Sequence, residues 1–313
     1  MPQMNPNAAR VVDPVLTSIA QGYKNSELIA SALFPQVPVT LRGGKIITFG
    51  KEDFMLYASQ RAPGENTKRV QVGYSAGNFA LVDYSLEGQV PIELLQEGAN
   101  GPGIDHAAMA INKVGNIMAL RLEKQSADIA RNAASYATSN KSAPSGTAKW
   151  SDFSVSDPIS DIEAAKDAVR SKTGKRPNTI VVGAQVMSQL RQHPKVVDRI
   201  KYTGRDIATP ELLAALFGVQ RVLVGDAIYA NDAGTEFVDV WGKDVVVAYT
   251  ELGSIADMGT PSYGYTYNLG GYPWVEEPYY DRNAKSWIYP VTRAEAPVLA
   301  SASAGFLIAG AVA

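Results

Sequence analysis

From Thr179 to Val182 the chain reads Thr-Ile-Val-Val, with Pro177-Asn178 before it and Gly183 after it. A short β-branched run bounded by turn formers predicts a strand covered on both faces. The period then changes. Val186 and Leu190 fall on one face of a helix over Ala184–Gln192, which Pro194 stops. Thr209-Pro210 offers an N-cap and a proline suited to the first helical position, Leu212–Phe217 is apolar, and Gly218 terminates. Val219–Val224 returns to a strand pattern, and Phe237–Trp241 and Val245–Tyr249 read as strands paired around Gly242-Lys243. Residues 153–252 thus predict one mixed helix-and-sheet module.

Upstream, Phe79–Leu86 reads as a strand and about Ile104–Ala137 as one long helix. Ile104, Ala108, Ile111, Met118, Leu122 and Ile129 fall near one helical face, with Arg121, Lys124, Asp128 and Arg131 largely elsewhere. At 1.5 Å per residue such a helix spans ~50 Å, with Gly115 as a bend point. The polar stretch 138–152, with Pro144 and Gly146, reads as a connector and boundary.

Prolines at 2, 6, 14, 35 and 38 break residues 1–41 into an arm. Short helices are expected from Asp13 to Gly22 and from Ser26 to Leu33, then extended apolar chain to Val39. An apolar arm needs a surface to cover it, its own or a neighbour's. In 42–76, Lys45–Gly50 and the alternating Val70, Val72 and Tyr74 form a ribbon whose connection is charged and rich in turn formers. Hairpin loops run to ~2–5 residues, so this one is far too long for a tight turn. A two-stranded ribbon is marginal alone and should order against another surface. Toward the C-terminus Tyr263, Tyr265 and Tyr267 alternate, and Trp274–Tyr280 pairs with Ser286–Val291 around 281–285. Ala296–Ala313 reads as a packed terminal strand or small-residue tail; its small residues make a poor bilayer span.

Composition narrows the classes. Across 313 residues, 46% hydrophobic and 19% charged is a globular balance, and a net charge of -2 lacks the basic excess of a nucleic-acid reader. The absence of cysteine removes disulfides, thiolate catalysis and Cys-based zinc sites, and suits a reducing compartment. The N-terminus has no signal-peptide pattern.

Candidate chemistry is thin. Gly73-Tyr74-Ser75-Ala76-Gly77 matches the nucleophile-elbow pattern, which needs a helix after the serine and a histidine held by an acid. Here strand pattern follows Ser75, and His106 and His193 have no recognisable partner. Asn231–Glu236 lacks calcium-loop spacing and reads as a turn, and Arg42-Gly43-Gly44-Lys45 is too short for a phosphate loop. Glu276 and Glu277 flank aromatic residues but are adjacent, so on a strand they point to opposite faces and cannot flank one glycosidic bond. No catalytic, cofactor or metal residue is assigned.

The Gly174–Gly225 module, the Phe34-Pro35-Gln36-Val37-Pro38-Val39 arm and Arg61-Ala62-Pro63-Gly64 resemble tailed-bacteriophage major capsid proteins of the Hong Kong 97-like fold. The resemblance implies an α+β fold with an N-terminal arm at 1–41 and an extended loop at 42–76. A peripheral domain with a long spine helix would take 77–152 and 253–313, and an axial domain 153–252. It also implies a virion protein that assembles in the host bacterial cytoplasm into hexamers and pentamers, closing an icosahedral shell. Double-stranded DNA would be enclosed without sequence-specific binding, with no membrane and no cofactor. Scaffold, portal and decoration proteins are implied as further partners. Because the arm starts almost at Met1, a separate scaffold or prior processing is expected. Phe54, Arg61, Glu65, Lys68, Tyr202 and Arg205 are the expected inter-subunit contacts. Lys51 and Lys68 lack the acidic and asparagine context that would support a covalent crosslink. An encapsulin-type compartment shell, a tail-tube protein and a serine hydrolase at Ser75 stand as alternatives.

Overall fold

A computed structural model describes residues 28–48, 75–100, 105–201, 208–231, 234–251 and 262–313, with single positions 56, 60 and 66. After a helical turn at Ala30–Leu33, strand β1 (Gln36–Val39) leads to β2 (Gly43–Thr48). The chain resumes with β3 (Ser75–Ala80), β4 (Val82–Pro91), helix Ile92–Asn100 and the long helix His106–Arg131. The middle of the chain adds β5 (Lys141–Ser142), helix Pro158–Thr173, β6 (Thr179–Gly183), helices Ala184–Gln192, Pro194–Ile200 and Pro210–Phe217, and β7 (Arg221–Gly225). Then come β8 (Ile228–Ala230), β9 (Phe237–Asp239), β10 (Val245–Ala248), β11 (Gly264–Leu269), β12 (Trp274–Val275), β13 (Tyr279–Asp281), β14 (Ser286–Leu299) and β15 (Gly305–Ile308).

Two sheets organise these elements. In the five-stranded sheet the order is β5-β15-β10-β6-β7. Its side chains alternate between two cores. Ile180, Val182, Val245, Val247, Phe306 and Ile308 join one core with Ile162, Leu190, Leu213 and Phe217 from the helices. Val181, Val246 and Leu307 point into the other, with Leu33, Phe34, Trp241 and Tyr263. Both faces are covered, which is why β6 carries no polar alternation; each fully buried large apolar side chain contributes roughly 1.5–3 kcal/mol. The other main sheet centres on β14, which takes β4 along one side and β11, β12 and β13 along the other. The long helix lies on it through Ile111, Val114 and Met118 against Val90, Tyr289 and Val291.

The helix boundaries follow local chemistry. The Asp105 carboxylate accepts from Ala108 N at 3.0 Å and starts the long helix. Asn132 leaves helical geometry and its side chain accepts from Ala134 N, so the helix stops at Arg131 and does not run to Ala137. Its length is therefore about 39 Å at 1.5 Å per residue. Thr209, Pro210 and Gly218 act as expected: the Thr209 hydroxyl accepts from Leu212 N at 3.4 Å, and Gly218 closes the helix at φ 62°.

Several expectations are corrected. Phe237–Asp239 does not pair with Val245–Ala248; it pairs with Ile228–Ala230, because buried Trp241 and the left-handed turn at Gly242 turn the chain away. Most of the polar connector 138–152 is exposed, but it is fixed to the body at two points. Lys141-Ser142 pairs with Leu307-Ile308, and Trp150 is fully buried, donating to Asp161 at 2.8 Å. Gly305–Ile308, expected with the peripheral return strands, instead joins β10 in the five-stranded sheet. The ribbon strand β2 pairs with Ser75–Ala80; Val70–Tyr74, expected in that role, lie outside the described residues. Helix Ile92–Asn100 has no counterpart in the sequence reading.

Candidate assembly surfaces

The arm is tied to the body by a buried carboxylate. Glu123, on the inner face of the long helix and 1% exposed, accepts from Ile29 N at 3.1 Å, Ala30 N at 2.8 Å and the Trp241 indole at 2.7 Å. Burial pushes its pKa up, and the three donors pull the other way. Beyond this lock Leu33 and Phe34 are fully buried, with Phe34 on Tyr263 at 5.5 Å between ring centroids, and β1 runs parallel to β11. The described part of the apolar arm is therefore covered by its own chain. Beneath it the Tyr136 and Tyr263 hydroxyls hydrogen-bond to each other, and Tyr136 donates to Ala130 O.

Antiparallel ribbon β2–β3 runs from Gly43 opposite Ala80 to Thr48 opposite Ser75, and segment 49–74 connects its far end. The Arg42-Gly43-Gly44-Lys45 signal serves this ribbon. A Cβ on Gly44 would sit 2.7 Å from the Phe79 ring, which stacks on Tyr267 at 4.1 Å and so fastens the ribbon base to β11. Phe54, Arg61, Glu65, Lys68, Tyr202 and Arg205 all lie outside the described residues, so the structure does not place them.

A charged knot joins the long helix to β14. The Arg121 guanidinium donates to Glu295 at 2.6 Å and stacks over the Tyr84 ring, while Arg293 approaches the same carboxylate at 3.9 Å. Burial raises the pKa of Glu295, opposed by the two arginines. At the C-terminal end of that helix Arg131 bonds Asp244 at 2.5 Å and Val240 O at 2.9 Å.

The candidate catalytic residues do not form a site. Ser75 opens a strand that continues to Ala80, whereas a nucleophile elbow needs a helix there. His106 begins the long helix, while His193 is fully buried beside Ser156 at 3.0 Å. The Asn231 side chain accepts from Thr235 N at 2.9 Å, while Asp232 and Ala233 of the expected turn lie outside the described residues. Among the described residues no group of three or more His, Asp or Glu gathers to hold a metal, and no helix is long and apolar enough to cross a membrane. What the molecule offers instead is exposed apolar surface: Met109, Val155, Phe237, Ile228 and Tyr279 are each about half exposed or more.

Residues 106–292 match the family model described as phage major capsid protein E. The chain belongs to that family. The major capsid protein of Burkholderia phage BcepMu is 39% identical over 305 residues, covering 96% of this chain and 97% of the relative. A solved phage-related protein from Bordetella bronchiseptica RB50 is 43% identical, with TM-score 0.83 over 97% of this chain and 98% of that one. A chain from the asymmetric unit of the bacteriophage PhiM1 mature capsid shares the fold at 14% identity, with TM-score 0.54 over 92% of this chain and 88% of that one. The fold is thus the Hong Kong 97-like capsid fold.

For a phage major capsid protein E family member the functional parts are surfaces and the locks that shape them. The Glu123 and Arg121–Glu295 locks escaped the sequence reading. Their signal was Glu123 within the apolar stripe of the long helix, next to Leu122.

Proposed function

We propose that this chain is the coat subunit of a tailed-phage head, assembling with copies of itself into hexamers and pentamers that close an icosahedral shell around double-stranded DNA. The observation that carries this is near-full-length similarity, at 39% identity, to a phage major capsid protein. It acts as a structural protein and not as an enzyme; the strand that continues past Ser75 supports this. Assembly takes place in the host bacterial cytoplasm, with scaffold, portal and decoration proteins as partners.

The six-stranded sheet with its long helix is proposed as the peripheral unit and the five-stranded sheet with its helices as the axial unit. In this reading residues 51–69, within the connection between β2 and β3, are the inter-subunit clamp, with Phe54, Arg61, Glu65 and Lys68 as its contacts and Tyr202 and Arg205 as axial ones. Deleting Glu52–Lys68 should leave a soluble, folded subunit that forms no shells; normal-sized shells from the deletion would remove the clamp. Purified protein seen by negative-stain and cryo-electron microscopy tests the function itself. Closed shells or rings of six support it, and tubes or dispersed subunits at high concentration overturn it.

A further inference from the structure

Two exposed surfaces around the five-stranded sheet are complementary in charge and in apolar content. From Asp226 to Asp239 the sequence carries acidic residues and no Lys or Arg. This segment forms the β8–β9 hairpin, where Phe237 is 78% exposed and Ile228 48%, beside exposed Asp226 and Glu236. In contrast, Arg191–Lys201 carries Arg191, Lys195, Arg199 and Lys201; Lys195 pairs with Asp157 at 3.1 Å and Lys201 with Asp198 at 2.8 Å, so Arg191 and Arg199 set the positive charge of this face. Val197 is exposed there, and Phe153, also exposed, packs edge-on against neighbouring His193 at 5.4 Å.

The two surfaces lie at opposite ends of helix Ala184–Gln192. Gln185 donates to Asp239 at 2.8 Å and holds the hairpin at the start of that helix, while Arg191 lies in its last turn. Among the described residues, Arg191, Arg199, Asp226 and Glu236 have no side-chain partner. A two-stranded hairpin is marginal in water, and one with a large exposed aromatic on its open face gains most from being covered.

We infer that the β8–β9 hairpin of one copy docks on the Arg191–Lys201 face of the next, with Phe237 and Ile228 against Val197 and Phe153 and the acidic rim against the basic one. Different patches meet, so the contact is heterologous, the kind that generates a ring when its rotation closes. Opposite charge on the two rims sets register and encounter rate, and the apolar centre slows dissociation. This contact rests on the shell reading above.

The test is charge reversal with rescue in the full chain. Asp226→Lys with Glu236→Lys should lower the yield of shells or rings by about tenfold or more, because like charges then face each other. Arg191→Glu with Arg199→Glu should do the same. All four reversals in one chain should restore assembly, which a merely structural role would not do. Phe237→Ser is the uncharged arm and should assemble poorly with an unchanged unfolding midpoint. Assembly of either double variant at the unsubstituted yield, or no recovery in the fourfold variant, overturns the contact while unsubstituted shells leave the shell reading standing. If the unsubstituted chain itself forms no shells, the shell reading falls and the contact with it.

Discussion

The Trp241 indole donates to Glu123 at 2.7 Å, joining the turn before β10 to the middle of the long helix across 118 residues of sequence. The same carboxylate takes the backbone N–H groups of Ile29 and Ala30, so one buried side chain joins arm, helix and sheet.

Glu123→Leu strands three buried donors. At about 1–3 kcal/mol for each buried group left unsatisfied, the expected loss is at least about 3 kcal/mol. Glu123→Gln keeps the shape and one good acceptor and should cost less. Denaturant unfolding followed by tryptophan fluorescence measures both; equal stability of Glu123→Leu and the parent would show that the lock contributes nothing.

Glu295 holds two arginines. Removing one partner of a buried ion pair costs about 3–5 kcal/mol, because the remaining charge is uncompensated. Glu295→Ala should therefore unfold at a clearly lower temperature than Arg121→Met, which leaves Glu295 beside Arg293 and keeps an apolar stem over Tyr84. The reverse order in a thermal melt would contradict the knot.

His193 makes stability depend on pH. Burial, and then the Lys195 charge, hold its pKa below the usual histidine value of 6.5, with Asp157 opposing. Ser156 donates to Asp152 O at 2.5 Å, so His193 Nε2 is the donor to Ser156 and Nδ1 has no partner for an added proton. The unfolded chain takes up that proton first. Stability from this residue is thus full above pH 6.5 and falls as the pH drops below that value toward the folded pKa. The slope is up to about 1.4 kcal/mol per pH unit. His193→Gln should flatten the stability–pH curve just below 6.5; an unchanged slope there would contradict this assignment.

Gly225 faces Trp241 so closely that an added methyl would overlap the indole. Gly225→Ala should destabilise by about 1–3 kcal/mol through overpacking. Gly234→Ala, at a position with open space, carries only the backbone cost of φ 66° and should lose about 1–2 kcal/mol. Comparing the two unfolding midpoints separates packing from backbone strain.

Local chemistry was legible in the chain itself: the β-branched run 179–182, the Thr209-Pro210 start and Gly218 stop, and the 281–285 hairpin all carry their causes within a few residues. The apolar stripe of the long helix was readable too, but its ends were not. They depend on the Asp105 side chain, which caps a first-turn N–H, and on the Asn132 side chain, which bonds the Ala134 N–H just beyond the helix. Strand partnership was decided by tertiary structure. Val245–Ala248 has an apolar pattern that any neighbour satisfies, and only the diversion at Trp241-Gly242 sends it to β6 and β15 instead of to Phe237–Asp239. The same holds for Glu123 and Glu295. Sequence names a carboxylate on a helix or strand, but the Ala30 N–H and Trp241 indole that hold Glu123, and the Arg121 guanidinium that holds Glu295, lie more than ninety residues away, and folding alone brings them within 3 Å.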